Sequence, residues 1–222
     1  MAKETKSLTI NPQLEAFQKS LIEKYATVNQ TAKRGQTVFV GSSLMEIFPI
    51  EKWEENGEVS FDNYIYNRAV RATTTAFLLA HIDTQIFELQ PSKLFINIGT
   101  NDIGFNVPEA EFLGNEREIF RQIAERLPDC ETYVMRYYPI NTADFQNDED
   151  EKTLFATRSN TAFQAASDKI EAISREFGFH FIDVNANLAD DRGNLKKELT
   201  FDGAHLNPDG YRVVLTNLTP YL

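Results

Sequence analysis

The chain has 222 residues, 42% of them hydrophobic and 25% charged, enough for one domain whose core needs neither disulfides nor a structural metal. Lys and Arg number 22 against 33 Asp and Glu, a net charge of −11, which argues against a nucleic-acid binder working through clustered basic residues and against a basic face held on anionic lipid. One cysteine, Cys130, and three histidines exclude an intrachain disulfide and a Cys/His zinc site and fit a reducing compartment.

The opening residues MAKETKSLTINPQ carry no apolar signal-type stretch, and no later run approaches the roughly 18 to 20 apolar residues of a membrane span. The expectation is a soluble, cytoplasmic protein without stable membrane insertion. Over residues 14–28, Leu14, Phe17, Leu21, Tyr25 and Val28 recur every three or four positions, the period of an amphipathic helix, with Asn11-Pro12 as its start signal. Residues 1–34 thus read as a helical extension packed on a main domain of residues 35–222. That helix could lie on the sheet or join two copies in a homo-oligomer.

TVFV at 37–40 predicts a buried strand. Leu44, Ile47, Phe48, Ile50 and Trp53 follow in a loop or short helix, then a turn at EENGE and a second strand at 64–66. The spacing predicts a long helix over 73–89, ended by Pro91. LFINIG at 94–99 is a nearly continuous apolar run, as in parallel strands covered on both faces. A helix over 112–127, a strand over 132–138, a long helix over 153–177 and a strand over 179–184 complete the alternation. A loop at 202–208 leads into a final helix from Pro208, stopped by Pro220. Strands alternating with helices imply an α/β architecture, one parallel sheet with right-handed crossovers. The acidic run DFQNDEDE at 144–151 is most simply a solvated surface loop, with a lid as its rarer role.

In an open parallel sheet, ligands gather beyond the carboxyl ends of the strands. Four segments at such places carry small or polar residues: Gly41-Ser42-Ser43, residues 67–73, Gly99-Thr100-Asn101-Asp102, and Asp202-Gly203-Ala204-His205. Each alone passes for a turn or a helix cap. Together they supply the parts of nucleophilic acyl transfer: a hydroxyl, a base, a carboxylate to orient the base, and donors for an oxyanion. Asp202 and His205 lie three residues apart, so one local turn brings the carboxylate to one imidazole nitrogen and leaves the other facing outward.

The ordered set GSS, NRAVRATT, GTND and DGAHLNPDGY resembles the SGNH hydrolase superfamily, the GDSL-type esterases and lipases, over residues 37 to about 215. The resemblance implies a flavodoxin-like three-layer α/β/α sandwich with about five parallel strands. It implies Ser43 as nucleophile, with Ser42 a decoy standing where the family's name-motif has Asp. It makes His205 the general base and Asp202 its orienting partner, and it puts the Asn101 side chain and the N–H groups of Ser43 and Ala72 around the oxyanion. Ala72 stands where the family has glycine; its N–H can serve at negative φ, whereas a left-handed backbone would cost about 1–2 kcal/mol. Arg71 stands where a small residue is common and reads more simply as a surface arginine than as a border of the crevice.

The implied activity is hydrolysis of small carboxylic esters, with a carbohydrate O-acetyl esterase as the nearest alternative and an inactive binding protein of the same fold as another. Such chemistry needs no cofactor and no metal, and G-x-G-x-x-G, P-loop and H-E-x-x-H patterns are absent from the sequence; a flavin or nucleotide binder stays open only on the alternation of elements. Met45 takes the last glycine position of G-x-S-x-G. Trp53, Phe105, Tyr137 and Tyr138 stand near strand ends, where they could line an acyl pocket or a sugar platform, although core packing is the simpler role for most.

Overall fold

The computed structural model describes residues 12–146 and 149–222. Helix α1 (Pro12–Asn29) opens them, so Pro12 is its first described residue and Asn11 lies outside. Strand β1 (Thr37–Gly41) is followed by two short helices, α2 (Ser43–Glu46) and α3 (Ile50–Glu55), and by β2 (Ile65–Asn67). Helices α4 (Thr75–Ala80) and α5 (Ile82–Gln85) lead to β3 (Lys93–Asn97), α6 (Thr100–Gly104), α7 (Glu109–Arg126) and β4 (Glu131–Met135). Helices α8 (Glu149–Leu154) and α9 (Asn160–Glu176), β5 (His180–Ile182) and α10 (Pro208–Leu218) complete the order.

The five strands form one sheet in the order β2-β1-β3-β4-β5, every pair parallel. Alternate side chains of a strand face opposite sides, and the register aligns Val38 with Leu94, Phe39 with Phe95 and Val40 with Ile96. Val38, Val40, Leu94, Ile96 and Val134 accordingly share one core with Leu78, Ile82, Ile119, Ile123 and Ile170 of α4, α5, α7 and α9. Phe39, Phe95, Tyr133 and Met135 share the other with Leu44, Trp53, Tyr211 and Val214 of α2, α3 and α10. Full burial of each large apolar side chain stabilises by about 1.5–3 kcal/mol, so strands apolar on both faces bind helices on both sides. This is the three-layer α/β/α sandwich.

Two expected helices are broken. The stretch 73–89 is α4, α5 and a 3-10 turn at Phe87–Leu89, because the backbone leaves the helical range at His81 (φ −121°, ψ 19°) and at Ile86. Past the bend, Ile86, Phe87 and Leu89 all enter the core. The stretch 153–177 divides into α8 and α9, since Ser159 turns extended and its hydroxyl caps α9 by accepting from the Ala162 N–H at 3.1 Å. Capping Ser outcompetes helix continuation at this point. Helix α8 also takes up part of the acidic run, whose residues 147 and 148 lie outside the described ones.

The chain leaves β1 over one face of the sheet, through α2 and α3, and returns from β2 over the other, through α4 and α5. Between β1 and β3 the winding reverses, which opens the crevice where such sheets bind ligands. Ser43 follows β1 and Asn101 follows β3, on either side of that point.

Candidate active site

The nucleophile candidate is positioned by a sharp exit from β1. A Cβ on Gly41 would stand 2.1 Å from the Asn97 carbonyl oxygen, so only glycine lets the chain pass that close to β3. Ser42 then takes an extended conformation before α2 begins at Ser43. The Ser42 hydroxyl is buried, with no hydrogen-bond partner among the described residues, whereas Ser43 lines a cavity of about 330 Å³. Helix α2 is fixed from below: Tyr211 donates its hydroxyl to the Leu44 carbonyl at 2.7 Å, and Asn67 donates to the Met45 carbonyl at 2.6 Å.

Opposite Ser43 stands a self-contained turn. One carboxylate oxygen of Asp202 accepts the backbone N–H groups of His205 (2.7 Å) and Ala204 (2.9 Å), while the other lies 2.6 Å from His205 Nδ1. Thr200 tightens the turn by donating its hydroxyl to the His205 carbonyl and accepting the Gly203 N–H. The Asn207 side chain caps α10 by accepting from Gly210, with Pro208 at its first position. Burial pushes the Asp202 pKa upward, but the hydrogen bond and charge of His205, with the two N–H bonds, outweigh it and hold the carboxyl below its ordinary range. An ionised carboxylate can only accept, so Nδ1 carries a proton, and in the neutral imidazole Nε2 is left as acceptor. Nε2 lies 2.9 Å from Ser43 Oγ. The imidazole is thereby aimed at the hydroxyl.

The third side holds the expected oxyanion donors. Asn101, on α6, lines the cavity, and its amide nitrogen donates to the Thr73 carbonyl at 2.9 Å, leaving a second N–H. Its neighbour Asp102 is buried and ties α6 to the start of α4 by accepting the Thr75 N–H and hydroxyl at 3.0 and 2.6 Å. Burial, only partly opposed by the Thr75 bonds, raises the Asp102 pKa to about 6. Ala72 also lines the cavity, but the negative φ that would let it serve without strain is not met: φ is +57°. The left-handed backbone costs an alanine about 1–2 kcal/mol, and glycine, which the resemblance puts here, would carry no such cost. No described residue accepts the N–H of Ser43 or Ala72.

Helix α1 holds that strained segment in place. Gln18 donates to the Arg71 carbonyl at 2.9 Å and Tyr25 to the Ala69 carbonyl at 2.9 Å. Arg71 forms a two-pronged bond to Glu46 at 2.6 and 2.9 Å, lies over the Phe17 ring and borders the cavity. It is therefore both ion-paired and part of the crevice wall.

Sequence reasoning missed several wall residues. Leu14 of α1, Leu154 of α8, Arg158, Phe163 and Phe201 all line the cavity. Of the four aromatic residues expected near strand ends, only Phe105 does so. Trp53, Tyr137 and Tyr138 are buried in the cores, with the Tyr137 hydroxyl donating to the Ile98 carbonyl at 2.6 Å. Phe201 instead stands 58% exposed at the mouth, its ring parallel to His205 within 7°. A second cavity of about 400 Å³, between α1 and α4, shares Ala72 and Phe105 with the first. Among the described residues no group of three or more His, Cys, Asp or Glu could hold a metal ion, and no helix is long and apolar enough to cross a membrane.

The model of the GDSL-like lipase/acylhydrolase family matches residues 39–213. Among solved structures, a Streptococcus pneumonia protein provisionally described as a platelet activating factor is 28% identical, with 99% of each chain covered and a TM-score of 0.84. A GDSL-like lipase from Bacteroides thetaiotaomicron is 18% identical (90% of this chain, 96% of that one, TM-score 0.71). Axe2, an acetylxylan esterase from Geobacillus stearothermophilus studied as a catalytic mutant, is 13% identical (85% and 94%, TM-score 0.61). No curated protein matches the chain. The two more distant structures share the fold alone, but the family model spans the segments from the end of β1 to α10 that carry Ser43, Asn101, Asp202 and His205, and on that match the chain belongs to the GDSL-like lipase/acylhydrolase family.

Proposed function

We propose that this protein is a serine esterase that hydrolyses small carboxylic esters through an acyl-enzyme. The observation that carries the reading is the unbroken relay from Asp202 through His205 to Ser43, at 2.6 and 2.9 Å, on the wall of one cavity. In this reading His205 takes the Ser43 proton as Oγ attacks the ester carbonyl. Asp202 keeps the imidazole in the productive tautomer and stabilises the imidazolium. The free N–H of Asn101 and the N–H groups of Ser43 and Ala72 receive the charge that develops on the carbonyl oxygen. His205 then returns the proton to the leaving alcohol, and water repeats the cycle on the acyl-enzyme. Every group used is a side chain or backbone donor of this chain.

The apolar wall of Leu44, Ile47, Phe105 and Leu154 around a cavity of about 330 Å³ supports a short acyl group. A second reading, a carbohydrate O-acetyl esterase, is favoured by Phe201, an exposed ring at the cavity mouth of the sort on which a sugar face can rest. Hydrolysis of p-nitrophenyl esters from acetate to decanoate, run beside acetylated xylose oligomers, separates the readings. Highest kcat/KM on acetate or butyrate supports the simple esterase, and a clear preference for the acetylated sugar supports the second. A folded protein that turns over none of them would be an inactive member of the family.

A further inference from the structure

Arg158 is 92% buried by its 8% exposure, yet no carboxylate among the described residues lies within ion-pairing distance of its guanidinium. It donates to two neutral oxygens: from Nη1 to the Leu154 carbonyl at 2.7 Å and from Nη2 to Asn101 Oδ1 at 3.1 Å. Its seat is cleared for it, since a Cβ on Gly104 would fall 2.0 Å from Nη2. The Thr157 hydroxyl, donating to the Gly104 carbonyl at 2.9 Å, ties the same segment to α6. Burial draws the arginine's pKa down to about 10, which leaves it charged at neutral pH. An uncompensated buried charge is costly, and this one, on the cavity wall itself, sits directly against an amide that faces the cleft.

We infer that Arg158 is a positioning residue for Asn101, holding its carboxamide oxygen and polarising its amide so that the remaining N–H is a stronger donor to the developing oxyanion. Only one orientation of the carboxamide suits its surroundings. Turned over, it would set NH₂ against the guanidinium and its oxygen against the Thr73 carbonyl. Nη2 fixes the oxygen end, the Thr73 carbonyl fixes one N–H, and the second N–H is left for substrate. A cation bound to an amide oxygen draws electron density from its nitrogen, and the effect is undiluted where water is excluded. Because charge appears on the substrate oxygen only as the bond forms, the benefit falls on kcat rather than on KM.

This inference rests on the esterase reading, and a double-mutant cycle on the full chain tests it separately. Arg158→Met and Asn101→Ala, alone and combined, are assayed on p-nitrophenyl acetate and on the anionic mono-p-nitrophenyl succinate. Arg158→Met is expected to lower kcat about 10- to 100-fold on both esters, less than the roughly 100- to 1,000-fold typical of losing the donor itself, with KM changed less than about threefold. In the Asn101→Ala background the same substitution should cost less than about threefold. Gly104→Ala displaces the guanidinium without removing it and should repeat the pattern, so the cycle survives if Arg158→Met does not fold. A loss that persists undiminished without Asn101, or one confined to the KM of the succinate ester, overturns the inference while leaving the esterase intact. No turnover by the wild type would instead overturn the esterase reading.

Discussion

Asp202 and His205 orient each other inside one four-residue turn, whereas Asn101, Ala72 and Arg158, across the cavity from them, come from three segments far apart in the chain. The turn carries its own bonds: carboxylate to two N–H groups, carboxylate to imidazole, Thr200 to both ends. The opposite side depends on α1 bracing residues 69–71, on Asn101 reaching the Thr73 carbonyl, and on a guanidinium delivered from beyond α8. A proton relay needs one line of three side chains, and a local turn supplies two of them. Donors converging on one oxygen must approach from several directions, and only tertiary packing can bring them there.

If that contrast is sound, the relay should fail abruptly and the donor side by degrees. Asp202→Asn, which leaves Nδ1 facing the wrong partner, is expected to lower kcat by about 10⁴-fold with little change in KM; steady-state kinetics on p-nitrophenyl acetate measures it. Asn101→Ala should lose about 10²–10³-fold in kcat, because the two backbone donors remain.

The two aspartates should also respond to pH in opposite senses. The folded pKa of Asp102, raised to about 6, means that its contribution to stability is complete below the unfolded value near 3.9 and is lost as pH rises through 6. That is worth about 2–3 kcal/mol. The depressed pKa of Asp202 gives a contribution present above about 3.9 and lost as pH falls below it. Denaturant unfolding between pH 3 and 7 should find Asp102→Asn without the decline from pH 4 to 6, and Asp202→Asn without the decline below pH 4. The smallest effect belongs to Ala72→Gly. Relief of the left-handed strain should raise stability by up to about 1 kcal/mol and leave kcat within about threefold, since the backbone N–H is kept.

The same contrast governs what could be read without a structure. The buried strands were legible because TVFV and LFIN are apolar on both faces, and Asp202, His205, Asn207 and Pro208 because their partners are neighbours in sequence. Ser43 was separable from Ser42 only through the resemblance; burial of Ser42 now gives the physical reason. Arg158 was hidden inside an expected continuous helix. The signal that could have found it was Ser159-Asn160, a cap that ends one helix and begins another, together with Gly104, whose missing side chain has no purpose within its own short helix. The left-handed turn at Ala72 had no local signal, because alanine does not favour it and the bonds holding it come from α1. The amphipathic pattern of α1 predicted a helix but not its dock: Gln18 and Tyr25 meet their partners 53 and 44 residues away, and Leu14 reaches the cavity wall.

The central claim is that Ser43, not Ser42, is the activated hydroxyl. Intact-mass analysis after treatment with a fluorophosphonate tests it most directly. One adduct is predicted on the wild type and on Ser42→Ala, and none on a folded Ser43→Ala. An adduct that survives Ser43→Ala, or a folded wild type that takes no label, would contradict the account.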